Sequence, residues 1–117
     1  MSERTVFFVS DGTGITAETF GHSILAQFAL RPRHVRRPFI DSTDKARAVV
    51  AEINEVAEAE GRRPVAFVTL VREDIRGILA EPGCKALVLD MFAAFVAPLE
   101  TELGIRSSRR IGRFSDA

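Results

Sequence analysis

Apolar residues along this chain fall into two alternating patterns: short continuous runs, and stretches that repeat every three to four positions. "TVFFVS", Thr5 to Ser10, is β-branched and aromatic, stops at Asp11-Gly12, and predicts a buried strand. A helix follows from about Thr16 to Leu30, with Phe20, Ile24 and Phe28 on one stripe. Val35 to Ile40 predicts a second strand, and Pro38, which lacks a ladder donor, sends it to a sheet edge. The second helix is the most regular, with Ala46, Val49, Val50, Ile53, Val56 and Ala57 at helical spacing. Ser42 or Thr43 can cap its start, Asp44 suits its first turn and Gly61 can end it. Pro64 to Leu70 predicts a strand apolar on both faces, Arg72 to Ala80 a short helix, and Lys85 to Asp90 a fourth strand. The last helix carries Phe92, Phe95, Val96, Leu99 and Leu103, and Pro98 should kink or restart it.

Strands apolar on both faces, alternating with helices, mean a parallel sheet with helices on both sides. The expected fold is an open four-stranded α/β sheet, Rossmann- or flavodoxin-like, in the order 2-1-3-4. It occupies residues 1–104, and 105–117 form a polar, basic tail or linker. Leu87, Val88 and Leu89 read as a central strand, yet strand 4 is an edge in this order. Another chain, or more of this one, is expected to cover it.

Composition adds limits. A chain of 117 residues with 46% hydrophobic and 27% charged residues is one soluble globular domain. Zero net charge supplies no bulk field for nucleic acid or membrane. No run has transmembrane length, and the N-terminus lacks a signal-peptide pattern, so a cytoplasmic location is expected. Cys84 has no partner for an internal disulfide. Two histidines and one cysteine, far apart in the sequence, make no metal site.

Ligands of open α/β sheets gather at the carboxyl ends of the strands, where the strand order reverses. Here the reversal lies between strands 1 and 3, and the strand ends supply Ser10, Asp11, Asp41, Ser42, Thr69 and Asp90. The loop Gly12-Thr13-Gly14-Ile15-Thr16 belongs to the same crevice. Glycine permits close backbone approach, and the helix start offers free amides and a partial positive charge. Gly12, Thr13, Gly14 and Thr16 are therefore candidate phosphate-binding residues. The plainer alternative is a βα turn in which Thr13 or Thr16 caps the helix, with Glu18 placed to repel a phosphate. "GTGITA" also satisfies the dinucleotide pattern G-x-G-x-x-A, with Asp41 as the ribose acid, and "TGIT" resembles a flavodoxin phosphate loop. A flavin or dinucleotide module is thus a lesser alternative, and the absence of Trp and Tyr weighs against flavin.

Four blocks carry a longer resemblance: "FFVSDGTGITAETFGHSILAQF", "RRPFIDSTDKARAVVAEIN", "GRRPVAFVTLVREDIRGIL" and "LDMFAAFVAPLETELG". In this order they resemble the N-terminal half of the phosphoenolpyruvate synthase and pyruvate, phosphate dikinase regulatory proteins, up to about Gly112. The resemblance implies a bifunctional enzyme: an ADP-dependent kinase that phosphorylates a threonine of its target, and a phosphate-dependent phosphorylase that releases that group as pyrophosphate. It implies ADP and phosphate as ligands, and the synthase or the dikinase as partner. The family's P-loop lies in its second half, and this sequence has no Gly-Lys pair, so the nucleotide seat is expected outside this chain. "GRFSDA" departs from the family, and a piece of a longer protein, inactive alone, is expected.

Within that reading Asp11 is the candidate catalytic acid, as a base or a metal-orienting group, against an Asx turn. Asp41 and Asp90 are read as helix caps before catalysts. Arg31, Arg33, His34, Arg36 and Arg37 form a basic run that either docks a target through bidentate arginines or keeps an edge strand solvated. In a second reading the chain only recognises the target through this run. His22 is read as a surface residue, Cys84 as packing, and Arg106, Arg109, Arg110 and Arg113 as a basic tail able to reach phosphates. A homodimer is left open.

Overall fold

The computed structural model describes residues 4–108. Strand β1 (Thr5–Ser10) is buried at all six positions, because it lies between two strands and beneath helices on both faces. It pairs in parallel with β2 (Arg33–Arg37) on one side and β3 (Val65–Thr69) on the other, and β4 (Leu87–Asp90) pairs with β3. The order is β2-β1-β3-β4, as the sequence predicts. The step from β1 to β2 and the return to β3 run in opposite directions. Right-handed crossovers then place their helices on opposite faces. Helix α1 (Ile15–Leu25) covers Val6, Phe8 and Phe67. Helices α2 (Thr43–Glu60) and α3 (Glu73–Leu79) cover Phe7, Val9, Ala66 and Val68 on the other side.

Helix α2 behaves as its periodicity requires. Ala46, Val49 and Ile53 are buried, the Ser42 hydroxyl accepts from the Lys45 amide at 3.1 Å, and Gly61 ends the helix at φ 68°. Asn54 clasps the next loop, donating to the Gly83 carbonyl and accepting from the Lys85 amide, both at 2.9 Å.

Three boundaries differ from the sequence reading, each for a physical reason. Helix α1 ends at Leu25 rather than Leu30, because nothing lies beneath a further turn: Phe28 is 60% exposed. Its buried residues are Ala17 and Gly21, not the Phe20–Ile24–Phe28 stripe. Strand β2 is Arg33–Arg37 rather than Val35–Ile40, since the ladder stops at Pro38. The chain beyond is still stitched to β1, with the Phe39 amide donating to the Gly12 carbonyl and Ile40 to Ser10. The last helix opens as a π-helical segment, Phe92–Val96, and tightens without a break into α4 (Ala97–Leu103), with Pro98, which donates no backbone bond, just after the changeover.

Gly21 fixes how α1 meets the sheet. A β-carbon there would lie 2.5 Å from Phe8 Cε1 and 3.0 Å from Phe67 Cδ2. Those two rings stack with centroids 5.8 Å apart. Gly21→Ala is therefore expected to push α1 off the sheet and cost about 1–3 kcal/mol, read from the midpoint of urea unfolding.

Candidate functional site

Gly14 turns the chain out of β1 and into α1. It is buried, adopts φ 88° and ψ 2°, and serves as the residue before the first turn of α1. An L side chain rarely adopts that conformation, so glycine is required there. No side chain caps α1, and its first backbone bond runs from the Glu18 amide to the Gly14 carbonyl at 3.0 Å. The Thr13 hydroxyl reaches only the Ile15 amide, at 3.4 Å, which is too long for a strong cap. Before the helix, Ser10 Oγ accepts from the Gly12 amide at 3.0 Å and shapes the turn. The result is a concavity of about 50 Å³ lined by Ser10 to Thr16, with the first-turn amides of α1 at its edge. Ser10 pairs in register with Thr69, whose buried hydroxyl has no partner among the described residues.

Asp11 does something the sequence did not signal. Its Oδ2 accepts from the Val71 amide at 3.0 Å, tying the end of β1 to the chain leaving β3. In place of the Asx turn weighed as its alternative role, the Ser10 hydroxyl shapes this turn.

The basic run does not stay together. Arg36 faces α1: its Nε lies 2.8 Å from Glu18 Oε2, and its Nη2 donates to the Thr13 carbonyl at 3.4 Å. Glu18, expected to oppose an anion, thus has its charge countered by a guanidinium that also touches the loop. Arg37 faces the other way and grips Glu52 of α2 through two bonds, which raise its pKa further above the usual arginine value. Arg31 and Arg33 are exposed. Strand parity carries this signal, since residues two apart on β2 share a face.

His22 and His34, 12 positions apart in sequence, meet with ring centroids 4.7 Å apart and planes tilted by 36°, each with an edge contact to Phe8. Among the described residues no group of three or more His, Cys, Asp or Glu could hold a metal ion. Asp90 caps the segment after β4, accepting from the Phe92 and Ala93 amides, and Arg76 donates to its second oxygen at 2.9 Å. Asp41 pairs with Lys45 at 2.9 Å, and its carbonyl accepts from Arg72. Cys84 packs partly buried against the α2/α3 core. Arg106 is exposed, and Arg109, Arg110 and Arg113 lie outside the described residues.

Two outcomes follow from these contacts. Asp11→Ala leaves the Val71 amide unpaired and should cost about 1–3 kcal/mol, whereas Asp11→Asn keeps an acceptor and should retain most of the stability in chemical unfolding. The bond from Lys45 holds the Asp41 carboxyl below its usual range, and the bond from Arg72 does the same for Asp74. A lowered folded-state pKa stabilises above the unfolded value of about 3.9 and is lost as pH falls through the folded value. The Asp41→Asn/Asp74→Asn double variant should therefore lose stability less steeply than the parent below about pH 4, measured by unfolding across pH.

Comparison with known proteins gives this fold a context. Residues 6–117 match the family described as Kinase/pyrophosphorylase. A relative from Polaromonas sp. (strain JS666 / ATCC BAA-500) is 62% identical over 117 residues, and one from Methylibium petroleiphilum is 64% identical over 116. Both are provisionally named phosphoenolpyruvate synthase regulatory protein. The alignments cover 100% and 99% of this chain but 42% of each relative, so the chain spans about two fifths of their length. With nearly every described residue inside the match, the chain belongs to the kinase/pyrophosphorylase family.

Proposed function

We propose that this chain is the part of a phosphoenolpyruvate synthase regulatory enzyme that receives the transferred phosphoryl group or inorganic phosphate. The intact protein would phosphorylate a threonine of the synthase, or of the related dikinase, using ADP. It would also remove that group with phosphate, releasing pyrophosphate. The observation that carries this reading is the Gly12–Thr16 turn: a left-handed, buried Gly14 leading into a helix start that no side chain caps, at the reversal of strand order. A concavity of about 50 Å³ suits a single oxyanion. Small-molecule sites run to about 300–1,000 Å³, so this concavity is too small for ADP, which the reading assigns to the P-loop expected outside this chain.

The residues divide the work. The first-turn amides of α1 and the Thr13 and Thr16 hydroxyls would donate to the anion. Arg36, already on the Thr13 carbonyl, would offset charge at its rim while answering Glu18. Asp11 would act first as a positioning residue, holding the loop against the β3 exit through Val71. Phosphoryl transfer is mostly positioning and charge compensation, which fits a site built from backbone. Pure target recognition has less support, since two of its four arginines, Arg36 and Arg37, are engaged by Glu18 and Glu52, which leaves Arg31 and Arg33 exposed for it.

Titrating this chain with inorganic phosphate should shift the amide resonances of Gly12 to Ala17 and leave those of α2 unmoved. In the full-length Polaromonas relative, alanine at the positions aligned with Thr13 and Gly14 should lower both reaction directions by roughly 100-fold, with synthase binding retained. Unchanged activity in both variants would leave recognition as the role of this part.

A further inference from the structure

Much of the exposed apolar surface among the described residues gathers around β4 and the helix that follows it. Helix α1 covers β1 and β3 on its face of the sheet, but β4 lies beyond its reach. Leu87 and Leu89 point to that face, in register with Val65 and Phe67, and remain 40% and 39% exposed. Between α1 and the π-helical segment runs a groove of about 540 Å³, floored by Phe67 and Leu89 and walled by Phe20, Ile24 and Phe95. It is followed by a second hollow of about 290 Å³ beside Leu99, Leu103 and Ile105, residues 55%, 62% and 64% exposed. Helix α4 has no buried residue at all. A helix gains most of its stability from packing an apolar face, so α4 is shaped for a partner.

We propose that this face is the seat of the remainder of the longer protein, the portion that in the relatives lies beyond the region matched here. This inference stands apart from the phosphate reading. Two observations and one physical argument select that occupant. The relatives extend well past the matched region, which is only 42% of their length. Leu103 and Ile105, close to the end of the described residues, lie beside this face, so a segment tethered after them is held near it. A tethered segment meets its site at an effective concentration in the millimolar range, far above a free second copy. A small molecule fits poorly, because such sites need convergent polar groups, and Asp90, the charged residue in the groove, is already bonded to Arg76 and two amides.

The interface can be read by cysteine alkylation. Single cysteines are placed at Leu89 and Leu99, with Glu55 on α2 as the control, in this chain and at the aligned positions of the full-length Polaromonas relative, native cysteines being replaced by alanine. The expected result is alkylation about ten-fold or more slower in the relative at Leu89 and Leu99, independent of protein concentration, with Glu55 equally reactive in both. Hydrogen exchange over residues 87–103 of the unmodified proteins reads the same protection without substitution. Equal rates at both positions overturn the proposal. Protection that grows with concentration in either protein assigns the face to a second copy and overturns it as well.

Discussion

The approach of α1 to the sheet at Gly21 governs this molecule. Only a hydrogen in place of a side chain lets the helix axis settle onto the stacked Phe8 and Phe67 rings. That depth decides where the helix begins, hence where its first amides point and how tightly the preceding turn must close. Ala17, one turn earlier, is fully buried for the same reason. The loop at the end of β1 inherits its shape from packing two turns away.

Around that contact the polar groups divide into ties and offers. Asp11, Arg37, Asn54 and Asp90 each join segments distant in sequence and hold the strand ends in a fixed relation. The amides at the start of α1 are left as offers. A site whose walls are braced by side chains and whose floor is backbone is well suited to a charged, symmetric group. Such a group needs several donors and little shape recognition.

Strand order, crossover faces and the long α2 were legible in the sequence because they follow from periodicity and from Pro38, and both act locally. The ends of α1 and β2 were not, because they depend on what lies beneath them: Phe28 continues the helical period but has no sheet to cover. In the site, the Gly12–Thr16 loop was legible from its glycines and its place after an apolar run. The tie from Asp11 to Val71 and the ring contact of His22 with His34 join residues 60 and 12 positions apart. No one-dimensional spacing marks such contacts. The alternation of His34 and Arg36 on β2 was the one available clue that an arginine would face the loop.

Phe39 gives the corner a further property. It is the one non-glycine residue with positive φ among those described, at 59°, and its ring is 55% exposed. A bulky side chain in that conformation is strained by roughly 1–2 kcal/mol. The bond from its amide to the Gly12 carbonyl helps to keep it there. The turn after β1 and the turn after β2 are therefore latched together like two ends of a sprung catch. The backbone conformation of one turn is thereby tied to that of the other through a single bond.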